Sequence, residues 1–403
     1  MPPKRKLIND PVYGFINISH PLIFDILAHP YYQRLRRIHQ MALAQLVYPG
    51  AVHTRLHHSL GAYHLMCNAV NELRYKDVEI NAEEEVAVKA AILLHDIGHG
   101  PFSHALEHTL ITGVHHEELS LMIMHEMNRQ LDGRLQLALE IFTGRYHKSF
   151  LYQLISGQLD VDRMDYLTRD SFFTGVSEGV IGYDRILKML TVHNEQLMIE
   201  EKGIYSVEKF LIARRQMYWQ VYLHKAVLAA EKMLVKIVTR VKAIYNEQDT
   251  QLQTGSPLDY FIGNFNGVMD KASLELFCSL DDNDMMFAIK RWSKHPDIVL
   301  STLCNGILNR RLLKCQLHDN PIDQQLLDDT RAKVATRLGI TLEDAGFLVF
   351  SGEAVNTIYK ADDEQILVAF KNGSIKNISQ VYNPLIHQTI STPVKKFYIC
   401  ELK

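Results

Sequence analysis

The stretch Leu93-Leu94-His95-Asp96-Ile97-Gly98-His99-Gly100-Pro101-Phe102-Ser103-His104 constrains this chain more than any other. An apolar run ends at an imidazole and a carboxylate, and two glycines and a proline then stop any helix. Neighbouring side chains on a helix point about 100° apart, so His95 and Asp96 face one point only at a helix end or a bent turn. Gly98 and Gly100 supply that bend. The doublet therefore suits one divalent metal, with two further histidines beside it, and the first hypothesis is metal-assisted hydrolysis.

Histidine usage strengthens that reading. The chain holds 20 histidines in 403 residues, and half of them fall between His53 and His116. A divalent ion held by N and O donors needs four to six of them, some from water. The candidates are His58 in Arg55-Leu56-His57-His58-Ser59, His95 and Asp96, and Asp162 in Asp160-Val161-Asp162-Arg163-Met164-Asp165-Tyr166. Asp162, Tyr166 and Asp170 recur every fourth residue, so one helix face presents all three. On a second helix Arg214, Tyr218, Tyr222 and Lys225 share a face at spacings of four, four and three. That face is either a solvated stripe or a wall for an anionic, ring-bearing ligand, with arginine and lysine for phosphate and tyrosine for a sugar or base.

Most of the chain reads as helix. Asn81 with Glu84 three residues on resembles a capping box opening residues 83–95. Residues 116–130, 134–144, 207–246, 272–293 and 297–315 continue the helical pattern. After about residue 340 the chain changes character. Residues 353–359, 365–370 and 394–399 read as strands, and Asn372-Gly373 is a turn between two of them. The expected fold is mainly α with a small α+β C-terminal region. The expected organisation is an N-terminal segment 1–50 on the core, a helical domain 51–320 and the small region 321–403.

Composition excludes several classes. Hydrophobic residues are 47% and charged residues 22%, as in ordinary globular chains. Net charge is -3, so no global basic surface points to nucleic acid. The five cysteines are scattered without a CxxC pair, against a disulfide framework or thiolate zinc site and in favour of a cytoplasmic setting. No apolar run reaches the roughly 18 residues of a membrane span. Pro2-Pro3-Lys4-Arg5-Lys6 lacks the apolar core of a signal peptide.

The ordered set of His58, His95-Asp96 and Asp162 resembles the H…HD…D signature of HD-domain metal-dependent phosphohydrolases. Ile8-Asn9-Asp10-Pro11-Val12-Tyr13-Gly14, Gln33-Arg34-Leu35-Arg36-Arg37-Ile38 and Tyr48-Pro49-Gly50-Ala51 precede it in order. Together they look like the dNTP triphosphohydrolase branch, which includes the sterile-alpha-motif/HD protein and bacterial dGTPases. The resemblance runs from about residue 6 to 315. It implies a multi-helix HD-domain core and release of nucleoside and intact triphosphate. It implies His58, His95, Asp96 and Asp162 as metal ligands. His99, His104 and His116 would surround the scissile phosphate, with Glu117 orienting His116. Arg55, Arg163 and Lys225 would meet the phosphates. Tyr166, Asp170 and Tyr222 would line the sugar, and Gln40 the sugar or base. Arg214 would stand on the same wall.

Some positions depart from that branch. Leu223 replaces a glutamine that meets the base in relatives, Tyr218 replaces a histidine, and Ala28 replaces an aspartate that reads guanine in nucleotide-activated members. The base is therefore left open, and guanine-type activation is disfavoured. The alternatives are another HD phosphohydrolase acting on a different nucleotide or phosphoester, and a non-catalytic nucleotide-binding regulator. Mn, Fe, Co, Ni, Zn and Mg all suit the donor set. Relatives imply a homo-oligomer.

Overall fold

The computed structural model describes residues 5–356, 365–381 and 394–403. At its centre the helices Arg55–Tyr75 and Ala82–Leu94 pack against each other, and Val161–Thr174 packs on the first of them. The Ala82–Leu94 helix begins where its sequence says it must. Asn81 Oδ1 accepts the Glu84 backbone N–H at 2.9 Å, and Glu84 returns a bond to the Asn81 N–H at 2.9 Å. Such a cap contributes about 1 kcal/mol. Leu93 and Leu94 are fully buried, so His95 leaves the helix with its ring directed into the protein.

Helix Val161–Thr174 is capped by Asp160, which accepts from the Arg163 N–H, and ends at Gly175 with φ +73°. It is held to the centre by a buried ionic chain. Arg169 bonds Asp165 through Nε at 2.9 Å and Asp10 through Nη1 at 2.8 Å. Asp10 ends the first strand of a hairpin, Lys6–Asp10 with Gly14–Ile18, and its Oδ1 accepts the Val12 and Tyr13 N–H groups at the turn. Gly61 on the neighbouring helix makes this possible. A Cβ there would stand 2.0 Å from Asp165 Oδ1 and 2.1 Å from Arg169 Nη2.

Three helical expectations need correction. Residues 207–246 are not one helix. Ile204–Met217 runs into a π turn over Tyr218–Tyr222, closed by the Leu223 N–H on the Tyr218 carbonyl at 2.7 Å, and a new helix starts at Lys225. Arg214 and Tyr218 remain one regular turn apart and the Tyr218 and Tyr222 rings lie 5.1 Å apart, but the extra residue breaks the 3.6-residue period and takes Lys225 off the expected shared face of Arg214, Tyr218, Tyr222 and Lys225. Residues 272–293 split into Lys271–Ser279 and Asp282–Trp292, because Asp281 caps the second helix at its Asn283 N–H. Ile298–Leu308 stops short of 315. Arg310 takes φ +53°, and Lys314–His318 is a strand. Helices His116–Gln130 and Gln136–Phe142 fall where expected.

The late strands are not a separate sheet. Lys314–His318, Val394–Glu401 and Val349–Asn356 form an antiparallel sheet with Val394–Glu401 in the middle. Leu367–Ala369 pairs in parallel with Gln196–Glu200, which pairs with Leu190–His193. The Asn372-Gly373 turn joins Leu367–Ala369 to Ile375–Asn377, with Gly373 at φ +82°. The expected strand at 353–359 is seen to Asn356, and residues 357–359 lie outside the described residues. Among the described residues no helix is long and apolar enough to cross a membrane.

Candidate metal centre and substrate cavity

The four expected metal ligands converge. His58 Nε2 lies 3.1 Å from Asp162 Oδ1, 3.3 Å from His95 Nε2 and 3.5 Å from Asp96 Oδ2. His95 Nε2 lies 3.5 Å from both Asp96 Oδ1 and Asp162 Oδ1. The opposite ring nitrogens fix what these atoms can do. His95 Nδ1 sits 2.7 Å from the Ile92 carbonyl, which only accepts, so Nδ1 carries the proton. His58 Nδ1 sits 2.8 Å from Asp165 Oδ2, and Arg169 holds that carboxylate ionised. Both Nε2 atoms therefore present lone pairs to one point already faced by two carboxylates. Four acceptors aimed together repel unless a cation lies among them, and the two-imidazole, two-carboxylate set suits a divalent ion. The same field acts on a proton. Burial opposes charge on His58, yet the bonds to Asp162 and Asp165 push its pKa up to about 10.

Beside this cluster, Arg55 is buried, pairs with Asp96 and donates from Nε to Ser103 Oγ at 2.7 Å. Phe102 and Ser103 both take left-handed backbone, φ +53° and +49°, which costs of order 1–3 kcal/mol each for non-glycine residues. Two groups hold the loop there. Asp282 accepts the Phe102 N–H at 2.7 Å, and Arg34 donates to the carbonyls of Ile97 and His99 at 2.9 Å. Gly98 allows the close approach, since a Cβ would stand 2.2 Å from the His116 carbonyl oxygen.

The result is a knot of three imidazoles. His99 stacks on His116 with centroids 4.1 Å apart, and His104 meets His99 edge-on at 4.6 Å. Burial and the charge of Arg55 hold His99 well below the ordinary histidine pKa, so it is neutral. Glu107 orients the other two. Its Oε1 is 2.6 Å from His116 Nδ1 and its Oε2 is 3.1 Å from His104 Nδ1. Burial resists ionisation of Glu107, but those histidine bonds hold its carboxyl far below the usual range. Glu117, the expected orienting group, is exposed and reaches His116 Nδ1 only at 3.4 Å.

An open cavity joins these parts. Of the expected residues, Gln40, Arg55, Asp96, His99, His104, His116, Asp162, Tyr166, Asp170 and Tyr222 line it. Tyr222 donates to Asp170 Oδ2 at 2.6 Å, and His53, stacked on Phe173, reaches Asp170 Oδ1 at 2.7 Å. His58 and His95 stand behind the cavity wall. Arg163, Arg214 and Lys225 are not among the lining residues. Arg163 pairs with Asp160, and Arg214 donates to Gln158 at 3.3 Å. Lys225, after the helix break, is exposed and its charge bears on Cys315. Residues not singled out from the sequence are Arg34, His53, Ser103, Glu107, Glu231 and Asp282.

The HD domain family model matches residues 55–170, and the HD associated region model matches residues 181–259. Protein YwfO of Bacillus subtilis is 33% identical over 390 residues, covering 94% of this chain and 88% of that protein. The crystal structure of a phosphohydrolase from Bacteroides thetaiotaomicron superposes with a TM-score of 0.94 at 48% identity, covering 99% of this chain and 100% of that one. The chain belongs to the HD-domain phosphohydrolase family. The Dictyostelium discoideum homolog of SAMHD1, a deoxynucleoside triphosphate triphosphohydrolase, is 29% identical over 253 residues. That match covers 58% of this HD-domain chain and 49% of the relative, so the chain spans about half the length of that relative. The HD doublet of this member is His95-Asp96, at the end of the Ala82–Leu94 helix.

Proposed function

We propose that this HD-domain protein hydrolyses deoxynucleoside triphosphates to deoxynucleoside and triphosphate. One observation carries the reading. A single cavity is lined by Asp96 and Asp162, by Arg55 and three imidazoles, and by the Asp170–Tyr222 pair. The first group suits a metal and a polyphosphate, and the second suits a sugar hydroxyl. The SAMHD1 relatives support the substrate class by name.

His58, His95, Asp96 and Asp162 would hold one divalent ion, which neutralises phosphate charge and acidifies water when bound. Arg55 offers its guanidinium to the phosphates while Asp96 and Ser103 hold it in place. His104 or His116, oriented by Glu107, gives a proton to the departing sugar oxygen. Neutral His99 accepts or donates one hydrogen bond at a phosphate oxygen. Asp170, held between His53 and Tyr222, accepts from the sugar 3′-hydroxyl, and Tyr166 packs beside it. Gln40 faces the sugar or base. Arg163, Lys225 and Glu117 take no part, because Asp160, the far side of the helix and solvent hold them. The proposal extends to a homo-oligomer, which light scattering reads directly.

The test is incubation of metal-loaded protein with each dNTP and separation of the inorganic product. Inorganic triphosphate supports the proposal. Pyrophosphate or orthophosphate points instead to another phosphoester reaction, and no turnover at full metal occupancy points to a nucleotide-binding regulator.

A further inference from the structure

The cavity contains one acidic group that the chemistry above leaves unused. Glu231 lies one turn beyond Val227 on the Lys225–Ile244 helix, and both side chains line the cavity. Among the described residues its carboxyl makes no hydrogen bond. Among the described residues Lys232 is the only charge that bears on it, and those of Arg55, Asp96, His99 and Asp162 do not. Burial pushes its pKa up to about 7.

The cavity is therefore polarised. One end gathers Arg55 and the imidazoles, where a triphosphate is attracted. Glu231, on which none of those charges bears, adds a carboxyl that repels a triphosphate once ionised. Met41, Ala44, Val221 and Leu223 give the same cavity apolar wall, which fits the faces of a flat ring. Gln40 adds a buried side-chain oxygen with no hydrogen-bond partner among the described residues. A nucleotide anchored by its phosphates at Arg55 and the imidazoles presents its base to that wall and to Glu231.

We infer that Glu231, in its ionised form, reads the pairing edge of the base and selects guanine. Guanine alone among the four bases offers two adjacent donors, N1–H and the 2-amino group, to a single carboxylate. Adenine and cytosine set a ring acceptor beside their amino group. Thymine sets its N–H between two carbonyl oxygens, which face the carboxylate unfavourably. The inference rests on the dNTP reading and makes it specific.

The experiment compares kcat/KM for all four dNTPs at pH 8, above the pKa of about 7, in wild type, Glu231→Gln and Glu231→Leu. Wild type should favour dGTP over dTTP by at least about tenfold, as charge-assisted base recognition gives. Both variants should lose roughly ten- to hundredfold on dGTP with dTTP changed by less than about threefold. Retained dTTP turnover separates lost reading from lost folding. An unchanged dGTP-to-dTTP ratio in both variants overturns the inference. Absence of turnover of every dNTP by wild type defeats the dNTP reading instead. Calorimetric binding of deoxyguanosine and thymidine to the same three proteins then decides the role of Glu231. Deoxyguanosine binding lost in the variants supports it, and equal or absent binding of both nucleosides overturns it.

Discussion

Glu107 Oε1 stands 2.6 Å from Nδ1 of His116, and this contact sets the proton geometry of the imidazole knot. The carboxylate fixes Nδ1 as the donor and leaves Nε2 as the free ring nitrogen. The second oxygen does the same for His104. Glu107→Gln keeps the shape and removes the charge. We expect kcat to fall by about 10- to 100-fold, as for other groups that orient a working histidine, with KM nearly unchanged. Steady-state kinetics check it, and an unaltered kcat would assign the orienting role elsewhere. Glu117→Gln, at an exposed carboxylate, should change kcat by less than about twofold.

Asp162→Ala should remove metal and activity together. It deletes the carboxylate oxygen nearest the His58 Nε2 lone pair, at 3.1 Å, and one of the two that lie 3.5 Å from His95 Nε2. Elemental analysis of the purified variant should find well under one metal per chain, while circular dichroism stays as in wild type. Full metal occupancy in the variant would refute the ligand set.

Gly61→Ala tests the packing behind the metal site. The added methyl meets Asp165 Oδ1 and Arg169 Nη2, both inside the buried ionic chain that also holds His58. Neither partner has room to move, and breaking such a buried pair costs about 3–5 kcal/mol. Urea unfolding should show a loss of that size and weaker metal retention. A loss under about 1 kcal/mol would mean that the chain relaxes around the methyl.

The grouping of His58, His95, Asp96 and Asp162 was legible in part because local rules act there. Glycines after His95 bend the chain, and Asp162, Tyr166 and Asp170 keep their helical period. Glu107 was not legible. It follows two residues in left-handed backbone, so its distance to His116 is fixed by a loop whose shape Asp282 and Arg34 impose from distant sequence. The break after Tyr222 was also hidden, since no proline or glycine marks the π turn. Lys225 consequently moved from an expected phosphate contact to the Cys315 side of its helix. Corrections of this kind fall where tertiary contacts, and not local periodicity, choose the backbone.

Glu231 also sets a pH dependence of stability. In the unfolded chain a glutamate ionises near the ordinary ~4.3. In the fold, burial pushes this carboxyl up to about 7. Between those values the folded state keeps a proton that the unfolded state has lost, so the contribution of Glu231 to stability falls as pH rises through the window. Below about pH 4 the two states are protonated alike and the effect vanishes. Glu231→Gln removes the titrating group at nearly constant volume. The variant should therefore gain melting temperature over wild type by more at pH 8 than at pH 5, measured with the same metal loading. An equal difference at both pH values would show that Glu231 ionises as freely in the cavity as in water.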